Sequence, residues 1–221
     1  MLTKYLINIY KNIFLFFLFF TSFQYSQNLN HEKLIYDIDF RIFSAGEATF
    51  EIQTEKYNNQ EVYKIISKTK SNKFLDKFYK IRDNVEIWID KKNFSLLKVN
   101  KKIREGTYKR NFSAIIDNQE SLAFFNNKKI EIPDNVFDPL GAIYYYRTLN
   151  LKLHSHFNFF TFDEGNIKEI SLKVTDIEYI KTPLGKFHCF VLKPFSKDGK
   201  ELFKNNGQMT IWISNDEKKY L

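Results

Sequence analysis

The sequence predicts a mainly β protein: one curved antiparallel sheet or half-open β-barrel, with a single helix packed on its concave face. Three observations predict it. From Leu34 onward apolar and polar residues alternate over long stretches, as they do in half-buried strands. Turn signals punctuate the alternation at short intervals, at Asn58-Asn59-Gln60, Asp90-Lys91-Lys92-Asn93 and Asn126-Asn127, and short turns between long strands make antiparallel neighbours. The period becomes helical in one place, DPLGAIYYYRTLNL at 138–151.

The chain begins with a different kind of segment. MLTKYLINIYK carries Lys4 and Lys11 and no acid, NIFLFFLFFTSF follows, and polar SQNLNHEK ends the run. A basic start, about a dozen apolar residues and a polar exit describe a secretory signal peptide. The apolar run from Ile13 to Phe20 is short of the roughly 20 residues that span a bilayer, and Asn8, Lys11 and Asn12 interrupt a longer anchor from Leu6 to Phe23. The expected organisation is a leader over 1–26, cleaved after Ser26, and one β-rich domain over 27–221 with no stable transmembrane anchor. No cysteine lies near the cleavage point, which argues against an acylated lipoprotein. The protein is expected to be exported, periplasmic or associated with an outer membrane. Loss of the leader removes two lysines and lowers the formal charge from +8 to +6.

The elements then follow in order. LIYDIDFRIFSAGEATFEIQTEKY reads as two strands with a bulge or tight turn at Ala45-Gly46, since glycine in a strand marks such a break. EVYKIISKTKS is a third strand. FLDKFYKIRDNVEIWID holds a short helical or irregular piece near 73–79 and then a strand. FSLLKVNKKIREGTYKRNFSAIID continues as strand, broken at Glu105-Gly106, and SLAFFNNKKIEIP reads as a hairpin over Asn126-Asn127. A helix is predicted over 139–149, because Asp138 is a natural N-cap and Pro139 suits the first helical position. Strands resume in HFNFFTFDEG, NIKEISLKVTDIEYIKTP, GKFHCFVLKPF and GQMTIWISND. EIWIDKKNFSLLKVN at 86–100 and TIWISNDEKKYL at 210–221 echo each other. The second copy reaches Leu221 where its return strand is expected, which predicts a truncated chain or a further strand.

Composition excludes several classes. The basic residues are scattered in pairs such as Lys91-Lys92, Lys101-Lys102 and Lys128-Lys129, without the dense basic stripe of a nucleic-acid binder. Cys189 is the single cysteine, so no internal disulfide can form, and within FHCFVLKP it reads as a small buried apolar residue. No Gly-rich phosphate loop, nucleophile elbow or HExxH helix is present, and no cofactor is indicated.

Six segments together carry a resemblance: AGEATFEI, FYKIRDNVEIWID, KKIREGTY, FDPLGAIYYYR, TPLGKFHCFVLKP and GQMTIWISND, in that order. They resemble the exported bacterial proteins grouped as domain of unknown function 3108, over about Leu34 to Leu221. That resemblance implies a class and not an activity. The Trp-Ile hairpin is also similar to the periplasmic lipoprotein carriers LolA and LolB. Their half-open barrels hold acyl chains on a concave face covered by helices, an analogy of fold alone.

The candidate ligand wall is Tyr144, Tyr145, Tyr146 and Arg147, with Arg82 and Arg104 as clamps for an anionic head. Successive tyrosines point about 100° apart on a helix, so Tyr144 is expected in the core with Leu140 and Ile143 and the other two on the flanks. Arg147 could pair with an acid from the sheet. The alternative is a helix that only plugs the sheet. Arg82-Asp83 and Arg104-Glu105 are expected to cross-pair between strands or with Arg147. His154 and His156 are a thin metal hint, since positions i and i+2 share a strand face. No catalytic constellation assembles. The expected function is non-catalytic binding of a lipid or other hydrophobic ligand in cell-envelope maintenance. The alternatives are a solid interaction module with an envelope protein partner, or an envelope hydrolase using Asp138.

Overall fold

A computed structural model describes residues 29, 31–196 apart from 41 and 42, and 209–221. The expected leader at 1–26 and its cleavage point lie outside the described residues. Eight strands form one antiparallel meander: β1 (His31–Phe40), β2 (Phe43–Tyr57), β3 (Gln60–Ser71), β4 (Arg82–Asp90), β5 (Leu96–Glu105), β6 (Tyr108–Asp117), β7 (Leu122–Phe125) and β8 (Lys128–Glu131). The helix α1 follows (Pro139–Thr148), and then β9 (His156–Asp163), β10 (Asn166–Thr182), β11 (Gly185–Ser196) and β12 (Ile211–Ser214). These last four make a second antiparallel sheet in the order β12-β11-β10-β9, curled as a half-barrel. Among the described residues the mainly β class and the one α-helix therefore stand, with the strands divided between two sheets. A parallel bridge, Phe137 to Thr161, ties the segment before α1 to β9. Among the described residues no helix is long and apolar enough to cross a membrane, which says nothing of strands.

The turns form where the sequence places asparagine. Asn58-Asn59 and Asn126-Asn127 all take positive φ, as two-residue hairpin turns require. The Ala45-Gly46 break is a bulge inside β2 and not the turn between strands, because the register shifts opposite Ile38 and Asp39 and Phe40 pairs with Phe43. A Cβ on Gly46 would lie 2.2 Å from the Lys70 carbonyl oxygen, so β3 can approach only a glycine there.

Cross-strand rows show how far the inner face of the large sheet is covered. Ile52, Ile65, Ile87, Val99 and Ala114 form one row, each within 2% of full burial. This row belongs to a continuous core that runs through Phe94, Phe112, Phe137, Tyr144 and Phe162 to Leu192 and Ile213 of the smaller sheet. The next row, Phe50, Ser67, Val85 and Lys101, is half-buried between the buried Leu34 and Phe112 at its two ends. Beyond it, Thr69, Asp83, Ile103 and Arg110 are half-buried too. Leu34, Tyr36, Ile38 and Ala48 form a separate small cluster under Tyr220 and Leu221.

The two Trp hairpins are built alike. The Trp88 indole N–H on β4 donates to Glu55 of β2 at 2.9 Å, two strands away. The Trp212 indole N–H on β12 donates to Glu178 of β10 at 2.5 Å, again across one intervening strand. Each hairpin turn contains an aspartate, Asp90 or Asp216, whose Oδ1 accepts two backbone N–H groups. Each ends on a residue of positive φ, Phe94 or Lys219.

Candidate functional site

Asp138 caps α1: its Oδ1 accepts from the Leu140 N–H at 2.9 Å, and Pro139 occupies the first turn. Its other oxygen faces the Lys101 ammonium of β5 at 3.3 Å, and Lys101 also donates to Asp163 of β9 at 2.6 Å. Burial disfavours the Lys101 charge, but the two carboxylates outweigh it and hold the ammonium well above its usual range. One lysine thus ties the large sheet, the helix cap and the smaller sheet together. Gly141 lies against β4, where an added Cβ would meet the Ile89 methyl at 3.4 Å.

The three tyrosines take three environments. Tyr144 is fully buried, and its hydroxyl finds no hydrogen-bond partner among the described residues. Burial pushes its hydroxyl far above the usual phenol range. Tyr145 is half-buried, with ring contacts to Phe94 at 5.7 Å and Phe137 at 5.3 Å. Tyr146 is only 3% exposed and packs on Phe157 and Phe159 of β9, each at 5.4 Å. A flank position was expected for Tyr146. The smaller sheet covers that flank, so a second tyrosine enters the core.

Arg147 is buried and does pair with an acid from the sheet, Glu32 of β1. Its two terminal nitrogens donate to the two carboxylate oxygens at 2.5 and 2.7 Å. Its Nε donates to the Lys219 carbonyl at 2.7 Å. The fork geometry of guanidinium and carboxylate satisfies both charges in a site that water does not reach. The Tyr36 hydroxyl donates to the Leu221 carbonyl at 3.3 Å beside this pair. Glu32, Arg147, Tyr36 and Tyr144 therefore join β1, α1 and the last residues of the chain.

Arg82 and Arg104 lie elsewhere. Gly141 touches Ile89, whereas Arg82 is seven residues back along β4, about 23 Å at the usual rise of a strand. Arg82 pairs with Asp76 at 2.5 Å, and Arg104 donates to the Ile103 and Arg110 carbonyls and to Asn111. The expected cross-pairing of Arg82-Asp83 with Arg104-Glu105, or of either with Arg147, does not form. Adjacent residues on a strand face opposite ways, which leaves Asp83 and Glu105 together on the inner face. Burial, and then the Asp83 charge, pushes the Glu105 carboxyl up to about 7, and burial raises Asp83 as well. The predicted ligand set is thus split between two ends of one sheet.

His154 lies in a turn with φ of 65° ahead of β9, not in the strand. It does not share a strand face with His156, and among the described residues no group of three or more potential ligands could hold a metal ion. Cys189 is buried, and burial pushes its thiol up to about 11. Glu32 and Lys101 escaped the sequence reading. The signal was present: Glu32 is in phase with Leu34, Tyr36 and Ile38, and Lys101 with Val99 and Ile103, which puts each charge on a core face.

The fold and these sites define a mostly β class in which the helix α1 is pinned between two sheets. A family model described as protein of unknown function (DUF3108) matches residues 35–221, and the chain belongs to that family. A comparison with curated proteins finds no match, and neither does one with solved structures.

Proposed function

We propose that the protein is a non-catalytic, exported component of the cell envelope that holds a lipid or another hydrophobic ligand. The observation that supports this is the half-covered part of the large sheet's inner face. Phe50, Val85 and Ile103 offer apolar surface there, Ser67 and Thr69 lie between them, and Asp83 and Glu105 stand toward the outer end. An apolar tail would lie along the row from Phe50 to Val85 and remove that surface from water. The two carboxyls favour a hydrogen-bond-donating head over an anionic one, because Arg82 and Arg104 are engaged elsewhere. The ligand therefore moves from the tyrosine helix, where side chains of the protein fill the space, to the strip beside it.

The test is native mass spectrometry of the protein purified after export, with extraction of bound lipid. A discrete lipid that Val85→Trp excludes is the expected result. A protein mass free of lipid would sink the reading. A second reading, a solid module that works through a protein partner, is favoured by the aromatic mesh around α1, and crosslinking in the envelope would then identify the partner.

A further inference from the structure

One end of the large sheet exposes large apolar side chains where monomeric proteins rarely group them. Phe43, at the start of β2, is 57% exposed, Phe74 is 58% and Phe78 is 72%. They form one patch: Phe74 lies 6.5 Å from Phe43 and 5.6 Å from Phe78, ring to ring. Tyr108, in the β5–β6 hairpin at the same end, is also exposed.

The patch is built rather than frayed. The Asn72 N–H donates to the Ala45 carbonyl at 2.8 Å, and its side-chain amide to the Ser44 carbonyl at 2.5 Å. The Asn72 side-chain oxygen accepts from the Leu75 N–H at 2.9 Å and starts a short 3-10 turn over Leu75–Lys77. Ser71 and Arg82 both bond Asp76 and clamp that turn. The rigid turn leaves Phe74 and Phe78 pointing away from the body of the protein, beside Phe43.

The turn that carries the patch is mostly basic, although Asp39, Asp83 and Glu105 lie at the same end of the sheet. Lys73, Lys77 and Lys80 are exposed, and none makes an ion pair with a described residue. Asp76, the one acid between Asn72 and Arg82, is already paired with Arg82. Three exposed phenylalanines beside three exposed lysines match a surface with apolar depth and negative charge at its rim.

We propose that this end of the sheet docks on the surface of an anionic lipid bilayer. Phe43, Phe74 and Phe78 enter the boundary between head groups and acyl chains, and Lys73, Lys77 and Lys80 lie among the lipid phosphates. This inference is independent of whether the inner strip holds a ligand. Docking would bring the outer end of that strip, with Asp83 and Glu105, close to the membrane surface, because Ile81 and Glu105 pair directly below the turn.

The test is sedimentation of the exported protein with vesicles of phosphatidylglycerol and phosphatidylethanolamine, against vesicles of phosphatidylcholine alone. Phe74→Ser with Phe78→Ser forms one variant, and Lys73→Glu, Lys77→Glu and Lys80→Glu together form another. Both change exposed side chains, so an unshifted melting temperature shows that they fold. The wild type is expected to prefer the anionic vesicles. Each lysine near such a surface contributes about fivefold to binding, so loss of the three positive charges alone should cost about a hundredfold at low salt, and the added carboxylates increase that loss. The double phenylalanine variant should lose at least tenfold on either vesicle. Binding that both variants retain would overturn the proposal, since another segment would then carry it. A wild type that ignores anionic vesicles at low salt would overturn it in favour of a protein partner for the same patch.

Discussion

The two ends of the large sheet treat similar residues in opposite ways. At the helix end, aromatic rings and charges are enclosed: Tyr144 and Tyr146 lie in the core, Arg147 is matched to Glu32, and Lys101 to Asp138 and Asp163. At the other end, phenylalanines and lysines stand in water and two carboxyls crowd together on a half-open face. The difference teaches that residue type does not locate function in this chain. Tyr-Tyr-Tyr-Arg has the composition of a binding wall, yet its rings pack against the protein and its guanidinium is paired with Glu32. Phe-Leu-Asp-Lys-Phe has the composition of a core segment, yet its rings have none of the cover a core supplies.

The sharpest way to break the comparison is to remove one partner from the enclosed end. Arg147→Met leaves the Glu32 carboxylate buried without its countercharge and is expected to cost about 3–5 kcal/mol in denaturant unfolding. Adding Glu32→Leu should restore most of that loss, because the pair is then replaced by apolar contact. A single variant that unfolds at the wild-type midpoint would mean that the pair reaches water. Next in size, Tyr146→Ala should cost about 3 kcal/mol by opening a cavity against Phe157 and Phe159. Tyr145→Ala, on the half-buried neighbour, should cost about 1–2 kcal/mol. Equal losses would contradict the placement of Tyr146 in the core and Tyr145 at its edge. Asp138→Ala removes the helix cap and one of the two Lys101 partners, and about 1–2 kcal/mol is expected in the same assay.

Local elements were legible because their signals are local. The Asn-Asn turns, the bulge at Ala45-Gly46 and the helix after Asp138 each rest on residues within a few positions of one another. The helix expected over 139–149 is found at Pro139–Thr148. The split into two sheets was not legible, because it depends on contacts such as Phe137 with Thr161, between segments whose pairing no turn dictates. The same holds for Arg147: an acid partner was foreseeable, but Glu32, 115 residues away in sequence, was not. Treating Arg82-Asp83 and Arg104-Glu105 as ion pairs failed for a reason visible in the strand period. Neighbours on a strand face opposite ways, so the two acids share one face and the arginines find other partners.

That shared face yields the smallest expected effect. Asp83 accepts the Arg104 backbone N–H at 2.7 Å, the Tyr79 ring lies against Gly106 beside the pair, and the Arg104 guanidinium is turned to the Arg110 carbonyl and Asn111. The Arg104 charge offsets Asp83 only in part and burial outweighs it, so the two carboxyls hold a proton that free carboxyls would release. Glu105 has a folded-state value of about 7, above the ordinary carboxylate range. For a raised acid the stabilising form is the protonated one. Its contribution is complete below the unfolded value of about 4.3 and is lost as pH rises to about 7. Glu105 is half-buried, so solvent screening reduces the effect to about 1 kcal/mol. Asp76 and Glu55, held below the usual range by hydrogen bonds from Arg82 and Trp88, lose stability in the opposite direction as pH falls. The quantity to measure is the difference in unfolding free energy between wild type and Glu105→Gln from pH 4 to pH 8. It should shift toward the variant by about 1 kcal/mol across that window and level off on either side. A difference that stays flat would mean that Glu105 ionises in the folded protein as it does in the unfolded chain, and the open end would then differ from the enclosed end in exposure alone.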